Sequence, residues 1–188
     1  GGDDGDDGHN GTPDPVAGKW QLNNARSTLN FVTVKNEHNA EVQSFTEMSA
    51  SINEQGMATL AIDLNSVATN IAIRDGRLKE LLFETDILPM LYLKTQIDLE
   101  SVSKLAVGQS QVITLSGDLL LHGVSKPLTA EVLVVKNSAG SATVSSFKPV
   151  VINSTDFELS GGLEVLRALA GLMSIGEAVP VYFQLQLE

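Results

Sequence analysis

The stretch AVPVYFQLQLE at the end of the chain alternates without a break. Val179, Val181, Phe183, Leu185 and Leu187 fall on one side, and Tyr182, Gln184, Gln186 and Glu188 on the other. Side chains alternate across a β-strand with a period of two, so this is a strand with one apolar and one wet face. A chain made of such strands must bury every apolar face against the others. That limits it to a barrel or a two-sheet sandwich.

The same period runs through Ser27–Lys35, Ala40–Ile52, Met57–Asn65, Met90–Val102, Gln111–Gly123, Leu128–Asn137 and Ala142–Asn153. Turn formers separate them: NEHN at 36–39, NEQG at 53–56, Gly108, VSKP at 124–127 and SAGS at 138–141. The count is about eight long strands joined mostly by hairpins. Long strands, few prolines and short turns favour an up-and-down antiparallel barrel over a sandwich. Two segments break the period. TNIAIRDGRLKELLFETDILP, residues 69–89, reads as a short helix with Leu78, Leu81, Leu82 and Phe83 on one face. GGLEVLRALAGLMSIG, residues 161–176, is apolar on most faces and reads as a helix over a barrel opening.

Of the 188 residues, 43% are hydrophobic but only 5% aromatic, so the interior is aliphatic. A barrel of this size either fills itself with side chains or encloses one small ligand, and periodicity leaves both open. The net charge of -11 argues against nucleic acid, which calls for Lys/Arg clusters, and against docking on anionic membranes. Residues 1–18 carry five Asp and no Lys or Arg, and read as a flexible acidic Gly/Asp linker before a domain over 19–188. Asp4, Asp6 and Gly8 loosely echo a calcium loop, in the wrong register for an EF-hand. No run of about 18 apolar residues is present, so no helix spans a membrane.

Cysteine is absent, which removes thiol catalysis, disulfides and Cys-based metal sites. Nucleophile-elbow, Walker and Rossmann motifs are missing too. His9, His38 and His122 are far apart and read as surface or turn residues, not zinc ligands. N-x-[ST] matches at Asn10 and Asn153 are short enough to arise by chance. Arg74-Asp75 is the sharpest polar pair. It reads as structural, with Asp75 capping the helix and Arg74 satisfying carbonyls or a carboxylate, while an anion clamp is the alternative.

Five stretches in chain order, within residues 20–35, 69–91, 115–128, 152–159 and 175–188, together resemble the YceI-like family of exported bacterial lipid-binding proteins. The opening is WQLNNARSTLNFVTVK, with Trp20, Ser27 and Phe31 in the family's places. Thr69, Arg74-Asp75, Leu78, Phe83 and Pro89 match its most specific motif. Gly117, Leu119, Gly123, Lys126, Pro127 and Leu128 match G-x-L-x-x-x-G-x-x-K-P-(apolar). Asp156 and Phe157 match a further motif, and Gly176, Glu177 and Val179 sit in the closing strand as in the family. Ser44, Leu82, Ser154 and Glu158 depart from it; the family usually has Gly at 44, Phe at 82, Arg at 154 and Gly at 158. Ser154 takes away the guanidinium through which a head group could be met there.

The resemblance implies an extended lipocalin-like antiparallel β-barrel with two short helical segments near its ends. It implies that a polyisoprenoid chain, of a quinone or a prenyl phosphate, lies in an apolar tunnel, and the expectation is a non-enzymatic carrier with no cofactor. The first helix is then a lid or wall at the barrel mouth, with Leu78, Leu82 and Phe83 facing ligand or core. Strand parity adds Phe31, Phe45, Ile62, Leu119, Val132 and Phe183 as lining candidates, and Tyr92, whose ordinary alternative is an interface anchor with a wet hydroxyl. The resemblance also implies a periplasmic or exported location. The acidic linker fits a lipoprotein whose lipidated cysteine lies upstream of residue 1, and pairing of two chains would cover the barrel mouths. The rival expectations are an exported interaction module with a packed core, and a hydrolase or isomerase with titratable groups inside the barrel.

Overall fold

At His122-Gly123 two residues with positive φ, 54° and 75°, turn the chain between Leu121 and Val124, which pair directly. This two-residue hairpin has the backbone hand that matches strand twist. The turn therefore sits before VSKP, not within it, and VSKP opens a 15-residue strand. Pro127 is tolerated there because the next strand reaches only Val132–Ser138, leaving Pro127 with one strand neighbour.

A computed structural model describes residues 20–188. The readings of residues 1–18 as a linker, of Asp4, Asp6 and Gly8 as a calcium loop, and of His9 and Asn10 lie outside the described residues. The strands are β1 (Trp20–Gln21), β2 (Thr28–Lys35), β3 (Asn39–Phe45), β4 (Met48–Ile52), β5 (Met57–Asp63) and β6 (Val67–Ala68). They continue as β7 (Met90–Gln96), β8 (Ser110–Leu121), β9 (Val124–Ser138), β10 (Ser141–Ser146), β11 (Val150–Asn153) and β12 (Ala178–Leu187). Every pairing is antiparallel, in the order β1-β4-β5-β7-β8-β9-β10-β12-β2-β3-β6, with β11 on β12.

The fold is the expected all-β, lipocalin-like curl, with twelve strands instead of about eight. Two of the extra ones come from predicted runs that divide, and two, β1 and β6, are two-residue strands outside those runs. Ala40–Ile52 breaks at Thr46-Glu47, whose amides both meet the Ser66 hydroxyl. Ala142–Asn153 breaks at Phe147–Pro149, after which the chain stays paired with β12 but leaves β9. Met90–Val102 ends as a strand at Gln96, because Asp98 accepts from the amides of Glu100 and Ser101 and caps helix α1, here Leu99–Ser103.

The sheet curls so that β1 laces its seam at one end. Trp20 and Gln21 pair with β4, while Leu22 bridges to Leu187 of β12. Trp20, Val102 of α1, Leu105 and Ile113 pack on buried Val132, Val134 and Ala142, which plugs that end.

Helices cover the opposite end. The first predicted helix is α-helical over Ala72–Arg77 and continues as a π-helix over Leu78–Phe83; we call the whole element the lid helix. Asp75 does not cap it. Ile71 is the N-cap residue, and the Asp75 carboxylate turns back to accept from the Thr69 amide at 2.9 Å and from the Thr69 hydroxyl. The second helix, α2 (Ser160–Ala170), is shorter than predicted and stops at Gly171 with φ 65°. Gly162 lets the two helices meet: a Cβ there would lie 2.6 Å from the Leu81 carbonyl oxygen.

His122 clasps this end. Its Nδ1 lies 3.0 Å from the Phe157 carbonyl oxygen and its Nε2 2.6 Å from the Glu84 carboxylate. Glu84 and His122, each ending or turning its element with positive φ, are thereby tied to Phe157, the residue before Glu158, whose φ is positive too.

Candidate ligand-binding cavity

Inside the curled sheet lies a cavity of about 770 Å³, within the usual range for small-molecule sites. Its walls are the inward sides of the strands. Leu29, Phe31 and Thr33 come from β2, Leu60 and Ile62 from β5, Leu91 and Leu93 from β7, and Val181, Phe183 and Leu185 from β12. The lid helix and α2 line the top with Leu78, Leu82, Phe83, Leu163 and Leu166. The interior is therefore not filled by its own side chains.

Nine of the ten residues singled out in the sequence line this space: Phe31, Phe45, Ile62, Leu78, Leu82, Phe83, Leu119, Val132 and Phe183. Three of them form an aromatic run. Phe31 and Phe45 stack with centroids 5.0 Å apart, and Phe45 meets Phe83 at 5.9 Å, tilted by 57°. Tyr92 is not among them. Its neighbours Leu91 and Leu93 point inward, and Tyr92 pairs with Ala61 and Leu120 on the outer face. Strand parity assigns it correctly once β7 is in register: odd positions of this strand face the cavity and even ones do not.

Sequence reasoning singled out Arg74 but missed the rest of the polar end. Thr33, Lys35, Gln43, Thr69, Arg74 and Arg77 all line the cavity on the lid-helix side. Arg74 donates from Nε to the Thr69 hydroxyl at 2.9 Å, from Nη2 to the Thr69 carbonyl at 2.7 Å, and from Nη1 to Glu41 at 2.9 Å. Lys35 pairs with the other Glu41 oxygen. Arg74 thus plays the structural part expected of it, with Glu41 as the carboxylate. The Lys35 ammonium's hydrogen bond, helped by Arg74 and opposed by burial, pulls the Glu41 carboxyl from 4.5 down to about 2. Arg77, one helical turn on from Arg74, is exposed and makes no ion pair or hydrogen bond among the described residues. The i, i+3 spacing of Arg74 and Arg77 was the available signal, because it puts both on one helix face.

The lining holds no Asp, Glu, His or Tyr; its charged side chains are Lys35, Arg74 and Arg77, all cationic. Ser154, standing where the family usually has Arg, donates its hydroxyl to the Glu177 carbonyl at 2.7 Å and faces the cavity as a small, satisfied group. Among the described residues no cluster of His, Asp or Glu could hold a metal ion.

A curled antiparallel sheet around an aliphatic cavity, roofed by two helices, defines the lipocalin-like class of barrels with an interior apolar site. The YceI-like domain model matches residues 20–187, and the chain belongs to that family. Among solved structures, it is 38% identical to a polyisoprenoid binding domain from Saccharophagus degradans implicated in plant cell wall breakdown, with a TM-score of 0.89 over 90% of this chain and 98% of that one. BcnA of Burkholderia cenocepacia, 17% identical, shares the fold with a TM-score of 0.67 over 88% of this chain and 98% of its own. The YCEI protein of Campylobacter jejuni, 16% identical, does so at 0.55 over 77% and 82%. A search of curated proteins found no match.

Proposed function

We propose that this domain binds a long-chain isoprenoid, or a lipid of similar length, in the cavity and carries it chemically unchanged. The observation that carries this reading is the 770 Å³ space whose wall is aliphatic along its length and charged only at the lid-helix end. Affinity comes from burying methylenes, about 0.8 kcal/mol each. The similarity to a domain described as polyisoprenoid binding supports the choice of ligand class. A non-enzymatic role is supported by the lining itself: no carboxylate or imidazole stands there to act as general base.

Of the two head groups, the cationic end favours an anionic one. Glu41 occupies Lys35 and Arg74, and Arg77 is left to meet a phosphate. A prenyl phosphate is therefore preferred over an isoprenoid quinone. Export from the cytoplasm and a lipid anchor upstream of residue 1 belong to the same proposal; the first rests on the family resemblance and the second on the acidic Gly/Asp composition of residues 1–18, and fractionation of the native host with sequencing of the upstream gene tests them.

The direct experiment is solvent extraction of the purified protein followed by mass spectrometry. A stoichiometric prenyl-chain lipid is the expected result. An empty extract, repeated after expression in a native-like host, would defeat the carrier reading and favour an interaction module.

A further inference from the structure

The cavity's lid-helix end is open to solvent through a rim that three segments build. The lid helix contributes Ile71 and Ile73, which line the cavity and are yet 50% and 69% exposed. Residues that are both lining and exposed mark the mouth. The β2–β3 hairpin contributes Lys35, tied through Glu41 to Arg74 of the lid helix. The loop after α2 contributes Leu172, which lines the cavity, and Met173, 86% exposed. That loop is fastened to the hairpin by the Met173 amide on Asn36 Oδ1 at 2.7 Å, by the Asn36 amide on the Ser174 carbonyl at 2.9 Å, and by a bridge between Lys35 and Ile175. Leu169, at the end of α2 beside the lining residue Ala170, is 52% exposed.

We propose that this rim docks on the surface of a zwitterionic phospholipid bilayer, with Ile71, Ile73, Leu169 and Met173 entering the interface and the cavity mouth facing the acyl layer. The inference rests on the carrier reading for its purpose and on the rim geometry for its substance. Exposed aliphatic side chains continue straight into the cavity wall, so whatever covers the rim also faces the bound chain. Among the described residues Arg77 makes no ion pair or hydrogen bond, and it stands at the edge of this apolar fringe, where its stem can lie along lipid while the guanidinium stays at the wet side of the interface.

A second copy of the chain fits less well. A two-fold contact through this rim would bring Arg77 of each copy to a rim of like charge, in a chain of net charge -11 that already repels itself. The same net charge turns the protein away from an anionic bilayer, while zwitterionic lipid carries no such penalty.

The test is flotation of the full chain with phosphatidylcholine vesicles, run beside uptake of geranylgeraniol added from ethanol. Met173→Asp and Leu169→Asp are the variants, since neither side chain lines the cavity and both are exposed enough to leave folding intact. Wild type should float, and each variant should partition about tenfold less or weaker still, the change given by losing one buried aliphatic side chain. Both variants should take up geranylgeraniol as wild type does. A wild type that binds geranylgeraniol but does not float overturns the docking and leaves the carrier reading standing. Equal flotation of wild type and both variants overturns it too, as does sedimentation showing a dimer that the variants dissociate. Flotation abolished by the variants in a protein that takes up no geranylgeraniol would uphold the docking and defeat the carrier reading.

Discussion

Truncating Phe83 to alanine tests whether the lid helix is held by the cavity wall. Phe83 is 7% exposed and sits on Phe45 with centroids 5.9 Å apart. Moving a buried phenyl ring back to water costs about 2 kcal/mol, and losing the tilted aromatic pair costs about 1 kcal/mol more. A closed core would add a penalty for the hole left behind. Here the ring already borders the 770 Å³ cavity, so truncation enlarges an existing space and that penalty is small. The expected loss is about 3 kcal/mol, at the lower end for Phe→Ala in a core. In a chain of this size that lowers the melting temperature by about 6–12 °C. Urea denaturation of Phe83→Ala, Phe45→Leu and the double variant measures both parts, the coupling between the rings being expected at about 0.5–1.5 kcal/mol. A loss under about 1 kcal/mol, or additive single effects, would refute the claim that the lid helix is anchored through these rings.

Gly117→Ala should cost about 3 kcal/mol, because the new Cβ would fall 2.2 Å from the Lys94 carbonyl oxygen inside the β7–β8 ladder. Gly161→Ala, with nothing within 4 Å in the first turn of α2, should be neutral or stabilising by up to about 1 kcal/mol, and thermal melts of the pair separate crowding from glycine loss as such. The Glu41 carboxyl, depressed from 4.5 to about 2 first by Lys35, contributes stability that is present above 4.5 and lost as pH falls towards 2. Urea midpoints of wild type should therefore drop more steeply over that window than those of Glu41→Gln. Arg77→Gln should weaken binding of a prenyl phosphate while leaving the uncharged prenyl alcohol of the same length unaffected, as competition against a fluorescent lipid would show; equal weakening of both would remove Arg77 from head-group selection.

The parity of single strands was legible except at Tyr92 of β7. Val179 to Leu187 face the cavity at every second residue, as their alternation requires, and Phe31, Ile62 and Leu119 follow the same rule. Chain breaks were less legible. Thr46-Glu47 interrupts a run of strand-like residues because the Ser66 hydroxyl, 19 to 20 residues on, takes up both amides, and no local pattern announces a partner that distant. The turn after Leu121 was misplaced because His122 adopts a positive φ that proline at 127 seemed better placed to mark. A non-glycine residue holds that conformation here with its ring clasped between Phe157 and Glu84.

By itself, then, the sequence determined that the chain is a β-rich, barrel-forming domain with aliphatic inward faces and two covering helices, since periodicity is local and each strand carries its own record of which side is buried. Only the tertiary structure decided that the interior stays open, that Lys35, Arg74 and Arg77 gather at one end of it, and that Tyr92 faces away. Those outcomes depend on the register between strands and on how far the sheet curls, and both are set by contacts between residues remote in the chain.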